Sequence, residues 1–352
     1  HVFWQGLQDL DLAECAFLAG ISKNPSLYDP FNHPETIKER QETILDEMCK
    51  QGMITESERD AAKAEELEYK YEDAQKAINN TYSYFTDAVI EDVINDLVEK
   101  KGYSEQMARW KVTSGGVQIY ATVDTNVQQA MEEVYADESN FPSVSRNGVQ
   151  PQSAMVVCNQ QGDVVGIVGG RGEKTQSRSL LRSESPRQAG SSIKPLSVYA
   201  PAMDAGIITP YSVRDNEPFM ELNGKDWPRN DSGGYTGPMV IRDAVAKSIN
   251  AVAVRVVDEM TPQASFDFLT QQLNFTHLNN PEDIALSPMA LGGMNGGVTV
   301  REMAAGFSIF LNDGIYNGAR TYTKVLNSDG TVLLENPQLN RKVFENEKTV
   351  YY

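Results

Sequence analysis

Along the first seventy residues the apolar positions recur at helical spacing. DLDLAECAFLAGI (9–21) predicts an apolar-rich helix that stops at Gly20, and the stretch that follows, SKNPSLYDPFNHP, is rich in turn residues. ETIKERQETILDEMCKQG then puts Ile37, Ile44, Leu45 and Met48 near one helical face and closes on Gly52. Residues 71–115 read as a helical connector, with a stripe of Phe85, Val89, Val93, Ile94 and Leu97 that ends on Lys100, Lys101 and Gly102. Cations and a left-handed glycine both suit a helix C-terminus.

From Gly116 the period changes. GVQIYATVD alternates Val117, Ile119, Ala121 and Val123 with polar neighbours, the pattern of a half-buried strand. NVQQAMEEVYADE predicts a helix packing Val127, Met131 and Val134 on one face. QSAMVVCNQQGDVVGIVGG predicts a hairpin turning at Gln160–Asp163, and YTKVLNSDGTVLLEN a second hairpin. Thr299 and Glu302 form a capping-box pattern opening VREMAAGFSIFLNDG.

Composition narrows the chemistry. The chain of 352 residues has room for two domains, and 40% hydrophobic with 23% charged residues is ordinary for a water-soluble fold. A net charge of -18 argues against nucleic acid or another polyanion as principal ligand. The three cysteines, Cys15, Cys49 and Cys158, are scattered and none forms a Cys-x-x-Cys pair, which disfavours a disulfide framework or zinc. Histidine occurs only at positions 1, 33 and 277, so a Ser-His-Asp site has little to build on. GGRGEKT has Glu173 between glycine and lysine, which breaks a phosphate-cradling loop. No run of apolar residues is long enough for a membrane helix. The start on His1 and the stop at EKTVYY suggest a fragment.

The remaining candidate chemistry lies in RQAGSSIKPLSVYAP (187–201), where Ser191 precedes Lys194 by three residues. At a helix start these side chains share a face, and a hydroxyl beside an amine is one way to activate a nucleophile without imidazole. Lys194 suits that work only if its pKa falls, which burial and a neighbouring cation would supply. Pro195 is tolerated in the first turn, and Pro201 should kink the helix. Further on, IRDAVAKSINAVAVRVV places Ser248 and Asn250 between two apolar helices, with Asn250 a candidate cap of the second. Ser-x-Asn also occurs at Ser22–Asn24 and Ser145–Asn147, so its place between those helices distinguishes the third copy.

Residues 112–352 resemble the transpeptidase domain of class A penicillin-binding proteins. GGVQIYATVD, GDVVGIVGGR, RQAGSSIKP, WPRNDSGGYTGPMVIRDAVAKSINAVAVRV and MALGGMNGGVTVREMAAGFSIFLNDGIY match it in order. Residues 1–70 resemble the last helical lobe of the peptidoglycan glycosyltransferase domain that precedes it. Arg40, Ile44, Leu45 and Met48 fit that family's Arg-x-x-x-(Val/Ile)-Leu-x-x-Met motif. The resemblance implies an α+β, β-lactamase-like transpeptidase fold over 116–352, its antiparallel sheet flanked by helices. An all-α remnant over 1–70, without glycosyltransferase catalysis, and the 71–115 linker would precede it.

It further implies that Ser191 attacks the D-Ala-D-Ala carbonyl of a stem peptide and that Lys194 takes the proton. Ser248 would relay a proton to the departing D-alanine, and Asn250 would bind the substrate amide and orient Lys194. The implied partners are stem peptides as donor and amine acceptor, β-lactams that acylate Ser191, and other wall-synthesis proteins. No cofactor or metal is called for. The parent would sit membrane-anchored on the extracytoplasmic face of a bacterial cell. The family's Lys-Thr-Gly motif has no counterpart here: Lys174-Thr175 precedes the nucleophile and Lys348-Thr349 runs into Val350, so its place is expected beyond Tyr352 or on another chain, or else the domain is incomplete. A penicillin-binding sensor or wall scaffold without turnover, or a β-lactamase, shares the serine and lysine and is an alternative reading.

Overall fold

The computed structural model describes residues 10–23, 28, 33–67, 81–143, 147–279 and 281–352. The turn-rich stretch after Gly20 and the start of the connector fall largely outside these residues. The chain divides into two compact units, His1–Thr81 and Tyr82–Tyr352.

The described part of the first unit is helical: α1 (Leu12–Lys23), α2 (Pro34–Lys50) and α3 (Glu56–Ala64). Ile37 and Leu45 are buried on the face anticipated for α2, and Gly52 closes the turn with a positive φ of 72°. Gly20 does not end α1, which continues to Lys23. A Cβ at Gly20 would lie 2.9 Å from Ile37 Cδ1 and 3.2 Å from Arg40 Cγ, so glycine here lets two helices approach.

The second unit opens with α4 (Tyr84–Lys101) and α5 (Glu105–Ser114), then β1 (Gln118–Ala121), α6 (Thr125–Ala136), and the hairpin β2 (Met155–Cys158) and β3 (Val164–Val168). After a mixed helical run over 190–204 come β4 (Val213–Asn216), β5 (Met220–Leu222), β6 (Lys225–Trp227) and β7 (Gly237–Val240), nested as one hairpin inside another. Helices α7 (Ile241–Ala246), α8 (Asn250–Met260), α9 (Pro262–Asp267), α10 (Leu286–Leu291) and α11 (Val300–Ser308) follow, and the hairpin β8 (Tyr322–Leu326) and β9 (Val332–Glu335) comes near the end.

The three-stranded sheet has the order β1-β8-β9 and is antiparallel, with Gln118 opposite Leu326 and Leu334 opposite Val325. Backbone bonds from Asp124 to Val165 and from Val164 to Arg320 join it to the β2–β3 hairpin, while one from Thr122 to Thr321 extends the β1–β8 pairing. Phe85, Val93, Ile94 and Leu97 of α4 share one core with Ile167 and Val168 of β3 and Tyr322 of β8. Helices α4 and α5 are thus part of the second unit's core; an apolar stripe of that length finds a partner sheet rather than spanning open space as a connector. A correction falls on α6. Its buried positions are Gln128, Met131 and Tyr135, while Val134 is 50% exposed. The stripe advances by four residues from Met131, and that turns Val134 to solvent.

A second core surrounds α8, whose Ala251, Val252, Ala253, Val254, Val256 and Val257 are all buried. A helix apolar on nearly every side belongs in the interior, and the segment carrying Ser191 and Lys194 packs on this one through Ile193, Leu196 and Val198. The Thr299–Glu302 capping box is present at α11 in both its bonds. Lys174 of GGRGEKT is an ion-pair partner of Asp87 at 2.8 Å and donates to the carbonyls of Tyr82 and Gln176, a structural clasp rather than a phosphate ligand.

Candidate active site

The segment 190–204 is not one regular helix. Gly190 has a φ of 57° and opens a 3-10 turn, Gly190–Ile193, in which the Lys194 amide donates to the Ser191 carbonyl. A π-type turn, Pro195–Tyr199, follows, with the Ala200 amide donating to the Pro195 carbonyl, and an α-turn, Ala200–Asp204, completes the run. Pro201 has no N–H for the carbonyl four residues back, and the Ser265 hydroxyl donates to that Ser197 oxygen instead at 2.6 Å. The proline is thus absorbed by a wider turn and a side-chain donor. In a 3-10 turn positions i and i+3 fall on one side of the turn, but the Ser191 hydroxyl makes no hydrogen bond to Lys194 Nζ, which bonds to Ser248 and Asn250 instead.

The two serines differ in their bonding. Ser192 donates to the Ala189 carbonyl at 2.7 Å, whereas Ser191 is exposed and its hydroxyl forms no hydrogen bond to another described residue. Buried Ile193 anchors the turn, which leaves Ser191 facing outward.

Lys194 runs inward and is only 2% exposed. Its Nζ donates to Asn250 Oδ1 at 2.7 Å, to the Ser248 carbonyl at 2.9 Å and to Ser248 Oγ at 3.2 Å. Burial lowers its pKa from 10.5 to about 8. Desolvation is the cause, and the neighbouring cation expected to act with it makes no contribution. In the neutral amine two protons satisfy the carbonyl and amide oxygens, and the lone pair is left for a hydroxyl.

Ser248 has a φ of 52°, uncommon for a residue with a side chain, and so turns its own carbonyl toward Lys194 as the chain leaves α7. Asn250 is not the cap of α8. Ile249 occupies that position without a side-chain bond, and Asn250 sits in the first turn with Nδ2 donating to the Arg229 carbonyl at 2.8 Å. The missing cap comes from Asn230, whose Oδ1 accepts from the Asn250 and Ala251 amides. The other Ser-x-Asn tripeptides extend outside the described residues.

A glycine-rich loop after α10 backs the turn that carries Ser191. The Gly190 amide donates to the Gly292 carbonyl at 3.2 Å, and Arg187 and Val298 exchange both backbone bonds at 2.9 and 2.8 Å. Asp283, fully buried, holds this loop by accepting from the amides of Asn279, Asn295 and Gly296. None of Arg229, Asn230, Asp283 or Gly292 was singled out from sequence. Their signal is conformational, and only GG spacing around 292 and 296 hints at a close backbone approach. Of the Lys-Thr pairs, Lys174 is held by Asp87 and Thr349 donates to Asp204.

A profile described as "Penicillin binding protein transpeptidase domain" matches residues 152–349, more than half of the chain, and one described as "Transglycosylase" matches residues 1–49. The chain belongs to the penicillin-binding proteins, with the pairing of transglycosylase and transpeptidase segments that marks class A. It is 34% identical to penicillin-binding protein 1A of Clostridium acetobutylicum over 97% of this chain and 44% of that protein. It is 29% identical to penicillin-binding protein 1F of Bacillus subtilis over 99% of this chain and 46% of that one. The chain thus spans somewhat under half the length of these relatives. Among solved structures, penicillin-binding protein 1A from Haemophilus influenzae superposes with a TM-score of 0.63 at 20% identity, over 94% of this chain and 60% of that one. The PonA1 protein from Mycobacterium tuberculosis in complex with penicillin V gives 0.59 at 20% identity, over 75% and 68%.

Proposed function

We propose that this chain carries the acyl-transfer site of a serine-type D-Ala-D-Ala transpeptidase that cross-links peptidoglycan stem peptides. The Ser191 hydroxyl attacks the carbonyl of the penultimate D-alanine as neutral Lys194 takes its proton. The tetrahedral adduct collapses with cleavage of the D-Ala-D-Ala amide bond. Ser248 Oγ, 3.2 Å from Nζ, passes a proton to the departing D-alanine amine. Asn250 holds Lys194 and offers its amide to the substrate. The amine of a second stem peptide then attacks the acyl-enzyme ester, which forms the cross-link and returns the proton to Ser191. A β-lactam opens its ring amide by the same attack and stays bound, because its leaving amine remains tethered.

One observation carries the reading: within a transpeptidase-family fold, a buried amine with its pKa lowered to about 8 lies one turn from an unbonded serine hydroxyl and is held by Ser248 and Asn250. The complex of PonA1 with penicillin V, a protein of the same fold, supports the β-lactam part. Residues 1–70 are read as the closing lobe of a glycosyltransferase domain, and no polymerising step is assigned to them. No helix among the described residues is long and apolar enough to cross a membrane; placement of the parent protein at the outer face of a bacterial membrane rests on the resemblance.

The test is turnover of a stem peptide ending in D-Ala-D-Ala by the full-length protein. Release of D-alanine with formation of a cross-linked dimer is expected. Stable penicillin adducts without any D-alanine release would make the protein a sensor or scaffold, and rapid opening of nitrocefin with free enzyme regenerated would make it a β-lactamase.

A further inference from the structure

We propose that Asn230 is a positioning residue for this site: it caps α8 in place of Asn250 and thereby leaves the Asn250 side chain to hold Lys194. The inference rests on the acyl-transfer reading for its consequence in catalysis, but its geometry stands independently of it.

Helix α8 begins with Ile249 at the cap position, a side chain with no oxygen to offer. Its first amides would go unmet, since an α-helix has no internal acceptors for them. Asn230 Oδ1, arriving from a loop twenty residues upstream, accepts from the Asn250 amide at 2.9 Å and the Ala251 amide at 3.2 Å. The other end of the same side chain donates to Asn216 Oδ1 at 2.7 Å and to the Gly234 carbonyl at 2.8 Å. Turning the amide over would set NH2 against two N–H groups and oxygen against two oxygens, so the bonding fixes its orientation. Asn230 is 7% exposed and Asn216 is buried, so water is a poor substitute for either.

The neighbouring residue completes the device. The Arg229 carbonyl takes Asn250 Nδ2 at 2.8 Å, which leaves Oδ1 as the end that meets Lys194 Nζ at 2.7 Å. Residue 229 thus sets the side chain of Asn250 and residue 230 sets its backbone. The loop bearing them is braced by bonds from Asn216 Nδ2 to Thr236 Oγ1 and from the Tyr235 hydroxyl to the Pro228 carbonyl. Asparagine is among the best cap-forming residues, and Asn250 can be used otherwise only because this duty is met from elsewhere.

The experiment is a double-mutant cycle in the full-length protein with two readouts: the titration midpoint of the Lys194 amine, followed by NMR with 15N-lysine, and the rate of acylation by a fluorescent penicillin. Asn230→Ala is expected to slow acylation about tenfold or more and to move the Lys194 midpoint in the same direction as Asn250→Ala does. In the Asn250→Ala background it should add nothing further to either. A folded Asn230→Ala protein with an unmoved Lys194 midpoint, or effects that persist undiminished without Asn250, would overturn the proposal. If the wild-type protein fails to label, the acyl-transfer reading falls, and the Lys194 titration still decides the role of Asn230. Should Asn230→Ala not fold, Asn216→Ala removes one of the two acceptors that orient the Asn230 amide, along with the Asn216–Thr236 bond; the same shift, smaller, is expected, and no shift counts against the proposal.

Discussion

Replacing Lys194 by methionine is expected to slow β-lactam acylation on the order of a thousandfold, the usual scale for loss of a positioned base. Methionine fills similar space with no proton to exchange. It leaves Asn250 Oδ1 and the Ser248 carbonyl without their donor, yet it also removes an amine that burial disfavours in its charged form. These terms oppose, so the melting temperature should change far less than the rate. The pH profile separates the base role from simple damage. With a pKa of about 8, Lys194 is mostly protonated at neutral pH, and acylation should rise about tenfold per pH unit below 8 and level off above it. The methionine variant should lose that limb. For stability the sign also follows. The folded protein binds this proton more weakly than the unfolded chain, so the penalty is full below about 8 and is relieved as pH rises from there toward 10.5. The check is stopped-flow acylation from about pH 5 to about pH 10, a span that covers both the rising limb and the plateau around the Lys194 value.

Gly292→Ala should slow acylation roughly a hundredfold by displacing backbone. A Cβ there would lie 2.1 Å from the Gly190 carbonyl oxygen and 2.7 Å from the Gly190 nitrogen, with Gly292 itself at a φ of 77°. The colliding atoms are main chain of the turn that carries Ser191, so relief requires that turn to move. A shift of about 1 Å costs roughly a hundredfold in a positioned reaction, and the positive φ adds about 1–3 kcal/mol of strain. Gly206→Ala is the control: its φ is 71°, but nothing lies within 4 Å of the added carbon. It should lower the melting temperature without altering acylation, whereas Gly292→Ala should lower both. Equal acylation rates in the two variants would show that the glycine loop does not hold the nucleophile turn.

What the sequence made legible was local. The β2–β3 hairpin, the Thr299 capping box and the Gly102 helix end each depend on residues within a few positions, and their signals are strong. The spacing of Ser191 from Lys194 is likewise local, and any right-handed helical turn brings the two to one face. What was hidden depends on distant partners. Gly20 has the look of a helix stop, but the side chains of Ile37 and Arg40 explain it. Asn250 has the look of a cap until Asn230, brought near by folding, takes that duty. The apolar stripe of α4 is plain in sequence, but nothing local says that its partners are Ile167 and Tyr322. The alternation of 3-10, π and α turns over 190–204 reflects Pro201 acting together with Ser265, a donor from another helix.

The central claim is that the exposed Ser191 hydroxyl, and not its neighbour Ser192 or the site serine Ser248, is the nucleophile served by Lys194. Mapping the penicilloyl group by mass spectrometry of peptides from the full-length protein tests it most directly. The account predicts a single adduct on Ser191, lost in Ser191→Ala with the fold intact. An adduct on Ser192 or Ser248, or labelling that survives Ser191→Ala, would contradict it.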